Sequence, residues 1–216
     1  MHVVAAPDKF RGTASALDVA IAVENAVAEH GGTTAVLPMA DGGEGTLEAL
    51  GGPNQTSLVT GPLGSLVEAP WRLSGTTAII EMAQASGLIT IGGSEFNEVL
   101  DATSTGTGEL ILSAVEHGAT RVIVGLGGSA STDGGLGAIE AMGSPARYRG
   151  IEILVACDVS TRFVDSAKTF SPQKGATRAE VEMLERRLKR LVQIYEEKFG
   201  VDISLLNYGG AAGGLA

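Results

Sequence analysis

Residues 121–142 read Arg-Val-Ile-Val-Gly-Leu-Gly-Gly-Ser-Ala-Ser-Thr-Asp-Gly-Gly-Leu-Gly-Ala-Ile-Glu-Ala-Met. A β-branched apolar run passes into a glycine-rich turn that carries an acid, and the turn feeds a short helical pattern. This predicts a strand over 121–126 and a helix over 136–142. The same order opens the chain. Residues 3–6 are an apolar run closed by Pro7, followed by a polar loop and a helical pattern with Ala16, Leu17, Ala20, Ile21, Val27 and Ala28 inward. That helix should stop at His30-Gly31-Gly32, where glycine supplies a left-handed cap, and Ala35–Leu37 resumes as a strand. Strands alternating with helices predict an α/β protein with a parallel sheet.

Beyond Gly61-Pro62 the pattern changes. Residues 66–73 and 76–82 are extended runs parted only by Ser74-Gly75, which reads as a β-hairpin. A second domain of mixed α/β type is therefore expected over 63–216, with 1–62 a separate parallel unit. The second domain should contain a helix over 109–116 and a strand over 151–157. Thr177-Arg-Ala-Glu180 is a capping box that opens a long helix to Phe199, with its arginines and glutamates on a solvated face. The chain closes on the glycine-rich stretch 209–216.

The composition narrows the chemistry. A formal charge of -10 and a pI near 4.7 argue against a partner made of nucleic acid or an anionic membrane surface. With 44% hydrophobic residues and a mean hydropathy of +0.21, a packed core is expected. The one cysteine, Cys157, ends an apolar run and reads as a buried thiol in a reducing cytoplasm. No run reaches the ~18 apolar residues of a membrane helix, and no secretory leader is recognised at the N-terminus. Glycine stands at 31 residues, about twice the usual share of roughly 7%. The glycines must serve local backbone geometry.

They concentrate in loops that also carry acids: Ala40-Asp41-Gly42-Gly43-Glu44-Gly45-Thr46 and Gly125-Leu126-Gly127-Gly128-Ser129 through Asp133-Gly134-Gly135, with Thr103–Glu109 a looser relative. Glycine lets a backbone approach a ligand, and amides at a helix start favour an anion. A carboxylate in the same turn would repel phosphate unless it organises a metal or accepts a proton, as phosphoryl transfer requires. Asp41 and Asp133 read equally well as helix caps. Positive charge comes from Lys9 and Arg11 in the loop Asp8–Thr13, and from Lys174 between Pro172 and Gly175; each could instead be an ordinary surface cation. Asp158 closes the strand 153–157 at a sheet edge where ligands bind, or caps a turn. His30 and His117 stand at helix C-termini, where the dipole favours them. No P-loop motif is present. Gly125-x-Gly127-x-x-Ala130 fits a loose dinucleotide fingerprint, which raises an NAD-dependent oxidoreductase, but the helix that should follow is delayed and no strand-ending acid lies ~20 residues on.

Ala6-Pro7-Asp8, the 40–46 loop, Gly61-Pro62-Leu63-Gly64, Gly106-Thr107-Gly108-Glu109-Leu110, Gly127-Gly128-Ser129-Ala130, Asp133-Gly134-Gly135, Ala156-Cys157-Asp158-Val159 and Pro172-Gln173-Lys174-Gly175-Ala176 resemble, in order, the motifs of the glycerate kinase family of the bacterial two-domain type. The resemblance spans essentially the whole chain. It implies transfer of phosphate from ATP to D-glycerate with Mg²⁺, most often at the 2-hydroxyl, in a cleft between a flavodoxin-like domain and a second domain inserted into it. Residues 1–62 would be the N-terminal half of the flavodoxin-like domain. Asp41, Asp133 and Lys174 are then candidates for catalysis, Asp8, Lys9, Arg11, Gly43, Glu44, Gly128 and Ser129 for substrate binding, and Asp158 for Mg²⁺.

The sequence departs from the family pattern in four places. Members continue past the glycine-rich stretch at 209–215, many have a longer link than 142–150, Thr161-Arg162-Phe163 replaces an asparagine-proline-leucine, and Lys9 stands where many have serine. A chain ending at Ala216 would leave the first sheet incompletely paired, which predicts aggregation or pairing with a partner, a homo-oligomer among the options. It also keeps open a catalytically silent relative that at most binds a hydroxy acid.

Overall fold

The computed structural model describes residues 1–8, 10 and 13–216; the predicted ligands Lys9 and Arg11 lie outside them. Strands β1 (His2–Ala5) and β2 (Thr33–Val36) pair in parallel, joined by helix α1 (Ala16–Glu29). A capping box starts α1, with the Ser15 hydroxyl accepting from the Asp18 amide and Asp18 answering to the Ser15 amide. Ala20 and Val27 are buried beneath it, whereas Leu17 and Ile21, expected inward, are 49% and 41% exposed. Two strands are too narrow to cover the whole apolar stripe of a helix.

The second sheet has five strands in the order β3-β4-β5-β6-β7: β3 (Gln55–Thr60), β4 (Leu66–Ser74), β5 (Thr77–Glu81), β6 (Arg121–Gly125) and β7 (Glu152–Ala156). The first three are antiparallel neighbours, and β5, β6 and β7 run parallel. The sheet is thus mixed, and the predicted β4–β5 hairpin is present with its turn at Gly75 and Thr76, one residue later than Ser74-Gly75, because Ser74 pairs with Thr77. Strand β3 was not expected. Its pairing with β4 makes Gly61–Gly64 the turn of a hairpin, with Gly61 N–H donating to Ser65 O at 2.7 Å, so the five-stranded sheet begins before the expected domain boundary.

Helices α2 (Thr46–Ala49), α3 (Ala83–Ser86), α4 (Thr105–Glu116), α5 (Leu136–Met142), α6 (Ser166–Phe170) and α7 (Arg178–Phe199) complete the fold. Trp71, Ile80, Leu110, Val122 and Val124 form the centre of the main core. A second cluster joins Phe163 to Leu184, Leu188, Leu191 and Tyr195 of α7, residues spaced to share one helix face. Arg186, Arg187, Lys189 and Arg190 face solvent. The Thr177 amide and hydroxyl both donate to Glu180 Oε2, at 2.7 and 2.6 Å. Thr177→Ala should lower the melting temperature by about 2–4 °C, read by differential scanning calorimetry. No helix among the described residues is long and apolar enough to cross a membrane.

Candidate active site

The loops that leave β2 and β6 meet at the carboxyl end of β7. They pack there main chain against main chain. Gly127 N–H donates to Gly42 O at 3.0 Å, and Leu126 N–H donates to Ala156 O at 3.1 Å. A Cβ on Gly42 would land on the carbonyl of Ala156, one on Gly125 would land on Gly42 O, and one on Gly127 would land on the Cα of Gly43. Sequence reasoning assigns these glycines to close approach of a ligand. Here the close approach at Gly42, Gly125 and Gly127 is to another loop, and the result is a rigid floor.

Above that floor lies a cleft of about 520 Å³ whose lining includes Asp41, Gly43, Glu44, Gly128, Ser129, Asp158 and Lys174. Seven residues singled out from sequence are thereby brought together from four separate loops. Asp41 Oδ1 accepts from the Gly43 amide at 2.8 Å, and Thr46 Oγ1 donates to Gly43 O at 2.7 Å, which closes the turn that carries Glu44. Asp158 follows β7 and is exposed to the cleft. Gln173, beside Lys174, also lines it.

Lys174 is no surface cation. It is 3% exposed, and its ammonium donates to Ser129 Oγ at 3.1 Å, to Thr132 Oγ1 at 3.3 Å and to the carbonyl of Ser131. The three protons of the ammonium match these three acceptors. Burial pushes its pKa down to about 7, with the charge of Asp133 opposing the shift. Asn97 Nδ2 ties the two segments together, donating to Ala130 O and to Lys174 O.

Two predicted residues stand elsewhere. Asp133 does not line the cleft; its Oδ2 accepts from Ser104 N and Oγ, both at 2.8 Å, and from Gly137 N at 3.2 Å, while Oδ1 accepts from Gly135 N at 3.3 Å. That is the capping alternative weighed above: one carboxylate ties together the first turns of α4 and α5. Asp8 lines an adjoining cleft of about 710 Å³, shared with Glu44, Glu81 and Gln84. Glu81 was overlooked in the sequence, although it ends a strand just as Asp158 follows one. Among the described residues no group of three or more His, Cys, Asp or Glu side chains could hold a metal unaided, so a cation here would need oxygens from its ligand. Helix α5 begins only at Leu136, so the turn at 125–130 does not open into a helix as a dinucleotide fingerprint requires.

The sequence model of the glycerate kinase family matches residues 3–147 and 144–216. The chain belongs to the glycerate kinase family. It is 38% identical over 254 residues to the glycerate 2-kinase of Escherichia coli K12, covering all of this chain and 66% of that protein. It is 36% identical over 252 residues to the glycerate kinase of Halalkalibacterium halodurans, covering 99% of this chain and 66% of the relative. A solved structure described as glycerate kinase 2 from Salmonella typhimurium LT2 superposes with a TM-score of 0.86 at 37% identity, over 99% of this chain and 67% of that one. The chain therefore spans about two thirds of the length of these glycerate kinases. The alignments are longer than the chain's 216 residues, so these relatives carry stretches absent between its ends. The family match changes segment at 144–147, inside the link from α5 to β7 that the sequence marks as short.

Proposed function

We propose that the 520 Å³ cleft supports transfer of the ATP γ-phosphate to a hydroxyl of D-glycerate, and that the acceptor is the 2-hydroxyl. The observation that carries the reading is the meeting of a buried lysine, two glycine-rich loops and three carboxylates on one cleft. The name of the Escherichia coli relative supports the 2-hydroxyl. In the reaction the hydroxyl oxygen attacks the γ-phosphorus, the bond to the ADP oxygen breaks, and the hydroxyl proton needs an acceptor. Asp41, held by the Gly43 amide, is positioned for that task. Asp158 and Glu44 could share a Mg²⁺ with phosphate oxygens; the ion supplies charge neutralisation to the transferring group. Lys174 keeps the 127–133 loop in shape and adds positive potential beneath Ser129, while Asp133 supports the same loop from behind. Electrostatic preorganisation of this kind is the main source of rate in phosphoryl transfer.

The test is to supply purified chain with ATP, Mg²⁺ and D-glycerate and to follow ADP release. Enolase added to the products identifies the position, since it consumes the 2-phosphate ester directly. Glycerate-dependent ADP release is expected. The span of about two thirds of the relatives' length favours a second reading, in which the chain binds the hydroxy acid without turning it over. Calorimetric binding of D-glycerate without ADP release would establish it.

A further inference from the structure

Among the described residues only two charged side chains are buried, Lys174 and Glu81. Lys174 holds one of the two apposed glycine loops. Glu81 touches the other. It is 2% exposed, ends β5, and lies in register with Gly125 of β6. Its Oε1 accepts from the backbone amide of Leu47 at 2.6 Å, and its Oε2 accepts from Gln84 Nε2 at 3.0 Å. Both donors are neutral amide groups, so this carboxyl group is held out of solvent at the edge of the 710 Å³ cleft on two hydrogen bonds. Such a group is expensive to bury and is retained where it does specific work.

The work is visible in the path of the loop. Residues 42–47 are tied at two points to neighbouring strand ends: Gly42 O accepts from Gly127 N–H after β6, and Leu47 N–H donates to Glu81 at the end of β5. Between these anchors lie Gly43, Glu44, Gly45 and Thr46. Three of residues 42–47 are glycines without side chains, so the buried Leu47 side chain anchors only one end of the turn. The bond from the Leu47 amide to Glu81 fixes the direction of the backbone there.

We propose that Glu81 is a positioning residue that holds the 42–47 turn, and with it Glu44 and the Gly43 amide, against the five-stranded sheet. Its effect on turnover rests on the kinase reading above; its effect on the turn does not. Gln84 makes the test specific. Glu81→Ala removes both acceptors, whereas Glu81→Gln keeps an oxygen for the Leu47 amide and can pair its NH₂ with Gln84 once the Gln84 amide turns over.

Hydrogen exchange by mass spectrometry on the whole chain reads the turn directly. Exchange over 42–50 should rise about 10- to 100-fold in Glu81→Ala while β6 and β7 keep their protection, and Glu81→Gln, which keeps the acceptor, should stay close to wild type. Where the wild type turns over D-glycerate, kcat should fall in Glu81→Ala and be largely kept in Glu81→Gln. Unchanged exchange at 42–50 in Glu81→Ala, an equal rise across the whole sheet, or a Glu81→Gln variant as exposed to exchange as Glu81→Ala overturns the proposal. A wild type that orders the turn through Glu81 but releases no ADP overturns only the kinase reading.

Discussion

Gly42→Ala is expected to destabilise the protein by about 2–5 kcal/mol, from left-handed strain of about 1–2 kcal/mol and forced backbone movement of about 1–3 kcal/mol. Gly42 has φ +90°, and its new methyl would fall on the carbonyl of Ala156. That carbonyl already accepts the Leu126 amide and cannot retreat without unpairing it. The expected fall in melting temperature is about 10 °C for a chain of this size. Gly45→Ala is the matched control, because Gly45 has φ +92° but open space around its Cβ position. It carries the strain without the collision. Equal melting temperatures for the two variants would refute the packed-loop floor.

Lys174→Met is the second large effect, and it is read through pH. The folded-state pKa is lowered from 10.5 to about 7. Between those values the unfolded chain holds a proton that the folded chain has released, so stability rises as pH increases through that window. The total contribution is bounded at roughly 5 kcal/mol, from 1.36 kcal/mol per pH unit. Methionine cannot titrate, so the variant should lose this slope in urea midpoints measured between pH 6.5 and 9.5. It also removes the three bonds from Lys174 Nζ; Ser131 O keeps the Ser129 hydroxyl and Thr132 Oγ1 keeps Ser171 Oγ, so the loss is about 0.5–1.5 kcal/mol for each bond. At pH 9.5 the wild type should therefore be clearly the more stable, with the gap narrowing toward pH 6.5. A variant with the wild-type slope would show that another group titrates.

Local signals explain what could be read in advance. The strand-turn-helix at 121–142, the hairpin around Gly75 and the capping box at Thr177 each rest on residues close in sequence, and each appears in the structure, the hairpin turn one residue later than read. Strand β3 escaped because Gln55-Thr-Ser-Leu-Val-Thr60 presents mostly polar residues with Leu58 64% exposed, so no apolar face marks it. Its evidence is the β4 partner, which lies across a turn. Within the site, Asp41, Glu44, Ser129, Asp158 and Lys174 were legible as loop residues of the right chemistry. Their convergence was not, since it depends on main-chain packing between 42, 127 and 156. Glu81 acts on an amide 34 residues away, and no local pattern encodes such a bond. Asp133 shows the converse: two roles share one local signature, and only the Ser104 contacts separate them.

The floor beneath the cleft is made of peptide groups meeting peptide groups at Gly42, Gly127 and Ala156. Its shape therefore places a demand on these positions, for smallness, and almost none on side-chain identity around them. Rim positions other than Asp41, Glu44, Asp158 and Lys174 can therefore be exchanged to alter affinity or selectivity while the scaffold that aims them stays where it is. Adaptation at the rim and preservation of the frame are in that sense separable, and directed evolution of this cleft should begin at the rim and leave the three contact points untouched.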